Sequence, residues 1–291
     1  MTFIHAEVST ADIPTADVPI AEEPAVDTGP PRGPLNLGLW LIVVLCALYF
    51  LFPIWAVMKF TLDLPGKGWT LKAYIDVMRE PDVRHTFWLS VQIAFFTVVL
   101  STVLMLWTVL WTTLKVRRLQ PAVEFISILP YMVPPIAFVV GIQGVFRPAF
   151  PSFIGSQWCL VFFYTVLAMP FTYRAIDAGL RAIDVRTLTE ASRGLGAGWT
   201  LTIWRVVVPN LRSALLGATF LTVAVVLGEF TIASLLLITT FPIQVAKVNQ
   251  EEIFGGPALG LLSMLVVAVM FLVLGVLTRK RGGTSAAATI V

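Results

Sequence analysis

Six long, predominantly apolar stretches limit what this chain can become, at about 37–60, 87–114, 123–146, 153–171, 211–240 and 259–277. Each is close to the roughly 20 residues that a helix needs to cross about 30 Å of hydrocarbon. Lipid offers no water to an exposed peptide group, so a crossing segment must satisfy its backbone as a helix or within a closed barrel. The stretches are continuous rather than alternating, which excludes the polar-in, apolar-out pattern of a barrel. The expectation is an all-α integral membrane protein with six transmembrane helices. Composition agrees, with 57% hydrophobic and only 13% charged residues, where soluble domains carry about 25% charged.

Charge placement divides the chain. Residues 1–36 hold six acids against one base, Arg32, with repeated prolines and no apolar run. Such a segment has too little to bury to fold, and it lacks the basic start of a signal peptide. The expected organisation is a disordered acidic, Pro-rich tail at 1–36, a membrane domain at 37–280 and a short tail at 281–291. Six spans put both termini on one side. With that side inside, the inner segments carry 13 of the Lys and Arg residues and the outer segments 7. Basic residues concentrate in cytoplasmic loops, so both termini are expected in the cytoplasm of a cell (plasma or inner) membrane. The longest inner loop is then about 172–210.

Catalytic signatures are missing from the sequence. It has no GxxxxGK[ST] phosphate loop, no HExxH and no GxSxG. His5 and His85 are isolated, and Cys46 and Cys159 fall in separate apolar runs. No catalytic residue, metal or bound cofactor is expected of this chain, and its net charge of +3 does not point to nucleic acid. Arg279-Lys280-Arg281 reads as a cytoplasmic anchor.

The inner loop is the informative segment. Residues 189–209 read TEASRGLGAGWTLTIWRVVVP. Thr187 or Thr189 is placed to cap a short helix with Glu190 in or near its first turn, where a carboxylate suits the helix dipole. Ala191 and Ser192 keep one surface small. Gly194, Gly196 and Gly198 permit a sharp exit. Trp199, Ile203, Trp204 and Val207 recur at helical spacing and suggest a second, amphipathic stretch at the interface. Pro209 ends that stretch or opens the next helix, where its missing N–H does no harm. The result is a helix–turn–helix tied to the fifth span.

This spacing resembles the EAA signature of binding-protein-dependent ABC importer permeases: Glu-Ala-Ala, three residues, Gly, nine residues, then aliphatic, any residue, aliphatic, Pro. Here it falls on Glu190-Ala191-Ser192, Gly196, Val206, Val208 and Pro209, with Ser192 for the second Ala. The stretches LPYMVPPIAFVVG and MPFTYRAIDAGLRAID also look like this family, and the likeness covers about 86–280. It implies the type I importer permease fold, with a coupling loop at 181–209. It further implies a cytosolic ABC ATPase dimer that binds ATP and Mg, a second permease subunit, and an extracytoplasmic solute-binding protein. Glu190, Ala191, Ser192, Gly196 and Pro209 would then form the ATPase-coupling surface.

Two other features are marked. Glu229 lies within the fifth apolar run, where an acid costs roughly 2.5–3.5 kcal/mol on insertion scales; with Thr222 two turns earlier, it suggests a pathway, gate or subunit contact, or else a structural hydrogen bond. Pro130, Pro134 and Pro135 interrupt the third run, so that it lines a cavity or simply kinks. The GEF element at Glu229 resembles permeases for polyamines, sulfate, molybdate and thiamine, and favours a polyamine or similar small charged solute. A sugar importer, or an ion-coupled secondary transporter using Glu229, is the alternative. The charge count makes a direct forecast. In a background lacking Cys46 and Cys159, single cysteines at Arg118 and Thr200 should react with an impermeant thiol reagent only from the cytoplasmic face. One at Thr70 should react only from the outer face, and the reverse pattern would invert the topology.

Overall fold

The computed structural model describes residues 37–66 and 68–282. The expected tail at 1–36 and the end of the chain from 283 lie outside the described residues. The chain divides into two compact units, residues 1–50 and 51–291. In the first, the described part is the opening of helix α1 (Leu37–Leu62), which carries Cys46 and an edge-to-face pair of Tyr49 and Phe50.

The second unit is almost wholly helical. After α1 comes a two-strand hairpin, β1 (Asp63–Leu64) and β2 (Gly68–Trp69), then α2 (Lys72–Arg79) and α3 (Pro81–Leu114). A 3-10 turn at Arg117–Leu119 leads into α4 (Gln120–Met132), α5 (Pro135–Ala149), the short α6 (Pro151–Ile154) and α7 (Cys159–Ala182). The inner loop holds α8 (Val185–Gly194), α9 (Trp199–Thr202), a π-helical turn at Ile203–Val207 and α10 (Val208–Asn210). The chain closes with α11 (Arg212–Gly228), α12 (Thr231–Leu235), α13 (Phe241–Glu251) and α14 (Gly255–Gly282).

Four described helices are straight, long and apolar enough to cross a membrane: within α1, α3, α7 and α14. Two more spans exist if each of two bent pairs counts as one. The third apolar run, expected as a single span, turns by 98° between α4 and α5. Pro134 and Pro135 explain it, because a residue before proline is pushed out of the helical region and Val133 is extended at φ −83°, ψ 127°. The fifth run also differs from its expected 211–240. Helix α11 stops at Gly228 and Glu229 is extended, so the remainder forms α12 and a turn. The fourth span starts later and runs deeper than 153–171, ending at Ala182. Arg174 and Arg181 are thus on α7 rather than in a free loop, and the last helix extends through Gly282 into the expected tail.

Helix α7 is the hub, packing most extensively on α3 and α11. Toward one end the three helices share a core of Leu89, Ile93, Leu160, Tyr164 and Val226, joined by Ile232 of α12. Toward the other they share Val109, Leu110, Ile176, Leu180 and Leu211. Between these clusters the buried side chains are small or hydroxylated: Thr97 and Ser101 on α3, Thr165, Ala168 and Thr172 on α7, Ala218 and Thr222 on α11. Lipid is as apolar as leucine, so helices inside it associate through close packing of small residues and hydrogen bonds. The Thr172 and Thr222 hydroxyls share one such bond at 3.1 Å.

Helices α7 and α11 approach closely at Gly179, where an added Cβ would collide with the Ala214 side chain and crowd Leu211. Gly179→Val should destabilise the protein by about 1–3 kcal/mol, the usual range for overpacking. Gly217→Ala, with open space around it, should leave stability nearly unchanged. Thermal unfolding in detergent distinguishes the two.

Candidate functional site: the inner helix pair and the broken spans

The inner loop folds as the motif spacing demands, with different caps. Helix α8 begins at Val185, two residues earlier than Thr187, behind Asp184 in the left-handed region (φ 42°, ψ 63°). Asp tolerates that conformation better than most residues. Thr187 donates its hydroxyl proton to Asp184 Oδ2 at 2.6 Å. Thr189 is buried inside the helix and donates back to the Val185 carbonyl at 2.8 Å. Neither threonine is therefore the N-cap expected of them, and Glu190 lies in the second turn rather than the first. The reason is that Val185 has an apolar core to enter and draws the start of the helix inward.

The end of α8 is a Schellman motif. Gly196 N–H reaches the Arg193 carbonyl at 2.9 Å, and Ala197 N–H reaches the Ser192 carbonyl at 3.2 Å. Two otherwise orphaned carbonyls are satisfied this way. The turn requires φ +86° at Gly196, a conformation that costs an ordinary L-residue roughly 1–2 kcal/mol. The three glycines thus have different roles, since positive φ occurs only at Gly196 among them.

Side chains sort themselves around this turn. Glu190, Ala191, Gly194 and Leu195 are exposed, Leu195 by 90%. Ser192 turns inward and shares a hydrogen bond with Thr202 at 3.0 Å, tying α8 to α9. Of the four residues at helical spacing, Ile203 and Val207 are buried, Trp199 is half-buried and Trp204 is exposed. The π-helical turn carries an extra residue and rotates Trp204 off the buried face. That turn lies just before Pro209, whose ring would crowd the carbonyl four residues back and whose missing N–H leaves the ladder one bond short. The chain then bends by 71° between Trp199–Asn210 and α11.

The pair is fastened to the membrane helices. Val185, Ile203, Val207 and Leu211 enter the same core as Val109 and Leu110 of α3 and Ile176 and Leu180 of α7. Arg186 donates to the Thr113 carbonyl at the end of α3, at 3.0 Å. Lys115 and Arg193 lie over the ring of Trp199, at 5.5 and 4.6 Å from its centre.

A second site forms where the two broken spans meet. A cavity of about 680 Å³ is lined by Tyr131, Val133 and Pro135, by Leu167 and Phe171 of α7, and by Gly228, Glu229, Phe230 and Thr231. Among the described residues, Glu229 is the only charged side chain on its wall. Its carboxylate accepts the Ile232 N–H at 2.8 Å, the Ala233 N–H at 3.4 Å and the Tyr164 hydroxyl at 2.9 Å. The break in α11 would leave these N–H groups unpaired, and the acid supplies the missing acceptor. Three donors in turn offset the cost of holding a carboxylate at that depth. Of the residues grouped with it in the sequence, Pro135 shares the cavity wall. Pro134 caps the start of α5, its carbonyl accepting the Phe138 N–H at 3.0 Å. Thr222 is turned away into the α7–α11 contact.

Sequence reasoning missed Tyr164 and Thr202. Their partners lie 65 and 10 residues away, and no local pattern marks them. Glu229→Gln keeps one acceptor oxygen and should cost little, whereas Glu229→Leu strands buried donors and should cost about 1–3 kcal/mol. Thermal stability of the two variants, with Tyr164→Phe between them, measures the cap.

Residues 105–281, more than half of the chain, match the family described as binding-protein-dependent transport system inner membrane component. Among curated relatives, the chain is 28% identical over 236 residues to the sulfate transport system permease protein CysW of Synechocystis sp., covering 73% of this chain and 83% of that one. It is 29% identical over 160 residues to the ferric transport system permease protein FbpB of Actinobacillus pleuropneumoniae, covering 53% of this chain and 23% of that one. It is also 29% identical over 178 residues to the chloroplastic sulfate permease 2 of Chlamydomonas reinhardtii, covering 56% and 47%. The chain thus spans less than half the length of the ferric and chloroplastic relatives.

Proposed function

We propose a mechanism from one premise: this chain belongs to the family of binding-protein-dependent transport system inner membrane components, and is the permease component, a non-catalytic membrane subunit, of an ABC importer. It is a multi-pass inner membrane protein, and its family binds no cofactor of its own. The energy source is then a separate cytosolic ATPase dimer, and α8 with its Schellman turn is the body that docks on it. Glu190 and Ala191 offer an acidic and a small contact to the ATPase. Ser192 and Gly196 hold the pair in shape, and Pro209 sets the junction with α11. Both termini and this loop are cytoplasmic, as the distribution of Lys and Arg favours.

The observation that carries this reading is the shared core of Val185, Ile203, Val207 and Leu211 with α3 and α7. A helix pair packed this way moves as one piece with the ends of three membrane helices, because a close-packed core transmits displacement. The pathway runs along the cavity between the α4–α5 break and the α11–α12 break, completed by a second permease subunit. A binding protein delivers the solute from the other side. The relatives' names put ferric iron and sulfate first among solutes to try. They give the polyamine suggested by the GEF element no support, and the coarser reading, a small charged solute, is the one proposed.

The test is reconstitution with the ATPase. Glu190→Ala should weaken co-purification or cut solute uptake per ATP hydrolysed by tenfold or more. Gly196→Asp should do the same through loss of the turn. Uptake that persists without the ATPase overturns the proposal.

A further inference from the structure

The groove where α3 meets the inner helix pair is not used by coupling or by the pathway. It encloses about 210 Å³ and is lined by Trp107, Trp111 and Leu114 of α3, by Trp199 and Ile203, and by Lys115 at its rim. Trp107 and Trp111 are about half exposed. Its walls are apolar and its charge is of one sign. Lys115 and the neighbouring Arg193 both stack on the Trp199 ring. Among the described residues, neither forms an ion pair with a carboxylate. Lys115 lines the groove and Arg193 lies over the ring of one of its lining residues, so an anion at this rim meets two sources of charge-assisted N–H donors.

We propose that this groove binds an anionic phospholipid, with an acyl chain along Trp107, Trp111 and Ile203 and its phosphate on Lys115 and Arg193. Three observations on the molecule favour a lipid over a soluble anion. Apart from Lys115 its lining is wholly aromatic or aliphatic. It lies at the C-terminal end of α3, a 34-residue helix of about 51 Å, longer than the roughly 30 Å of hydrocarbon in a bilayer. Tryptophans flank it, as they do at the lipid–water boundary. Basic pockets between membrane helices on the cytoplasmic side take lipid phosphates for these reasons. Because Arg193 belongs to α8, the lipid would bridge a membrane helix and the docking body, so that leaflet charge sets how firmly the pair is held. This last consequence rests on the coupling reading, whereas binding itself does not.

Trp107, Trp111 and Trp199 report on the site in protein whose other six tryptophans are replaced by phenylalanine. Full-length protein is reconstituted without ATPase in phosphatidylcholine vesicles doped with phosphatidylglycerol whose acyl chains carry bromine, a quencher of indole fluorescence. Brominated phosphatidylcholine at the same mole fraction is the comparison. The anionic lipid should quench at several-fold lower mole fraction. Lys115→Gln should reduce that preference about fivefold, the worth of one cation near an anionic surface, and adding Arg193→Gln should abolish it. Lys115→Arg should retain the preference, which shows that charge rather than misfolding is responsible. Equal quenching by both lipids, or a preference unchanged in the double variant, overturns the proposal. So does displacement by millimolar glycerol phosphate, which would identify a soluble anion as the occupant. Failure here leaves ATPase co-purification untouched, so the two readings fall separately.

Discussion

Every helix break inside a membrane must bring its own hydrogen-bond partners, and that constraint organises this protein. A straight helix satisfies its backbone unaided; a broken one exposes donors and acceptors that lipid cannot meet. Two helix breaks, after Met132 and after Gly228, flank one cavity, and each is met differently. At Pro134 and Pro135 the sequence supplies residues with no N–H to strand, and the Pro134 carbonyl takes up the Phe138 N–H. At Gly228 it supplies Glu229, whose carboxylate reaches forward to the next short helix and sideways to Tyr164. Both irregular stretches line the same cavity, which is where irregular backbone is tolerated in membrane proteins.

The acid is thereby given a structural duty that does not exclude a functional one. Its oxygens are held by groups on two elements, so the carboxylate fixes α12 relative to α7. Around it, among the described residues, the cavity wall is otherwise uncharged, with Tyr131, Phe138, Phe171 and Phe230. In the α8–α9 pair the same economy appears. A short helix of polar sequence would be marginal alone, yet α8 is held by Val185 from below, by the Ser192–Thr202 bond from the side and by Arg193 stacked on Trp199. Rigidity there comes from packing against α3, α7 and α11 rather than from helix propensity.

Much of this was legible in the sequence, for identifiable reasons. Membrane spans are read from hydrophobicity because lipid imposes the pattern over some twenty residues at a time. Gly196 was legible because only glycine sits easily at φ +86°, and Pro209 because proline fixes its own backbone. The caps of α8 were misread. Thr187 and Thr189 are suitable residue types, but the helix start was decided by Val185 finding a core. Thr222 was likewise grouped with Glu229 by helical spacing, a rule that lapses once α11 ends at Gly228.

Sequence alone thus determined the solvent of this protein, the helical character of its crossing segments and the position of the glycine turn at Gly196. These depend on composition and on residues whose backbone preferences are their own. Tertiary structure decided the start of α8 at Val185, the inward direction of Ser192, and the joining of Tyr164 to Glu229 across 65 residues. Those outcomes depend on which distant surface each side chain meets. A linear pattern cannot encode that, because the partner arrives only when the helices have packed.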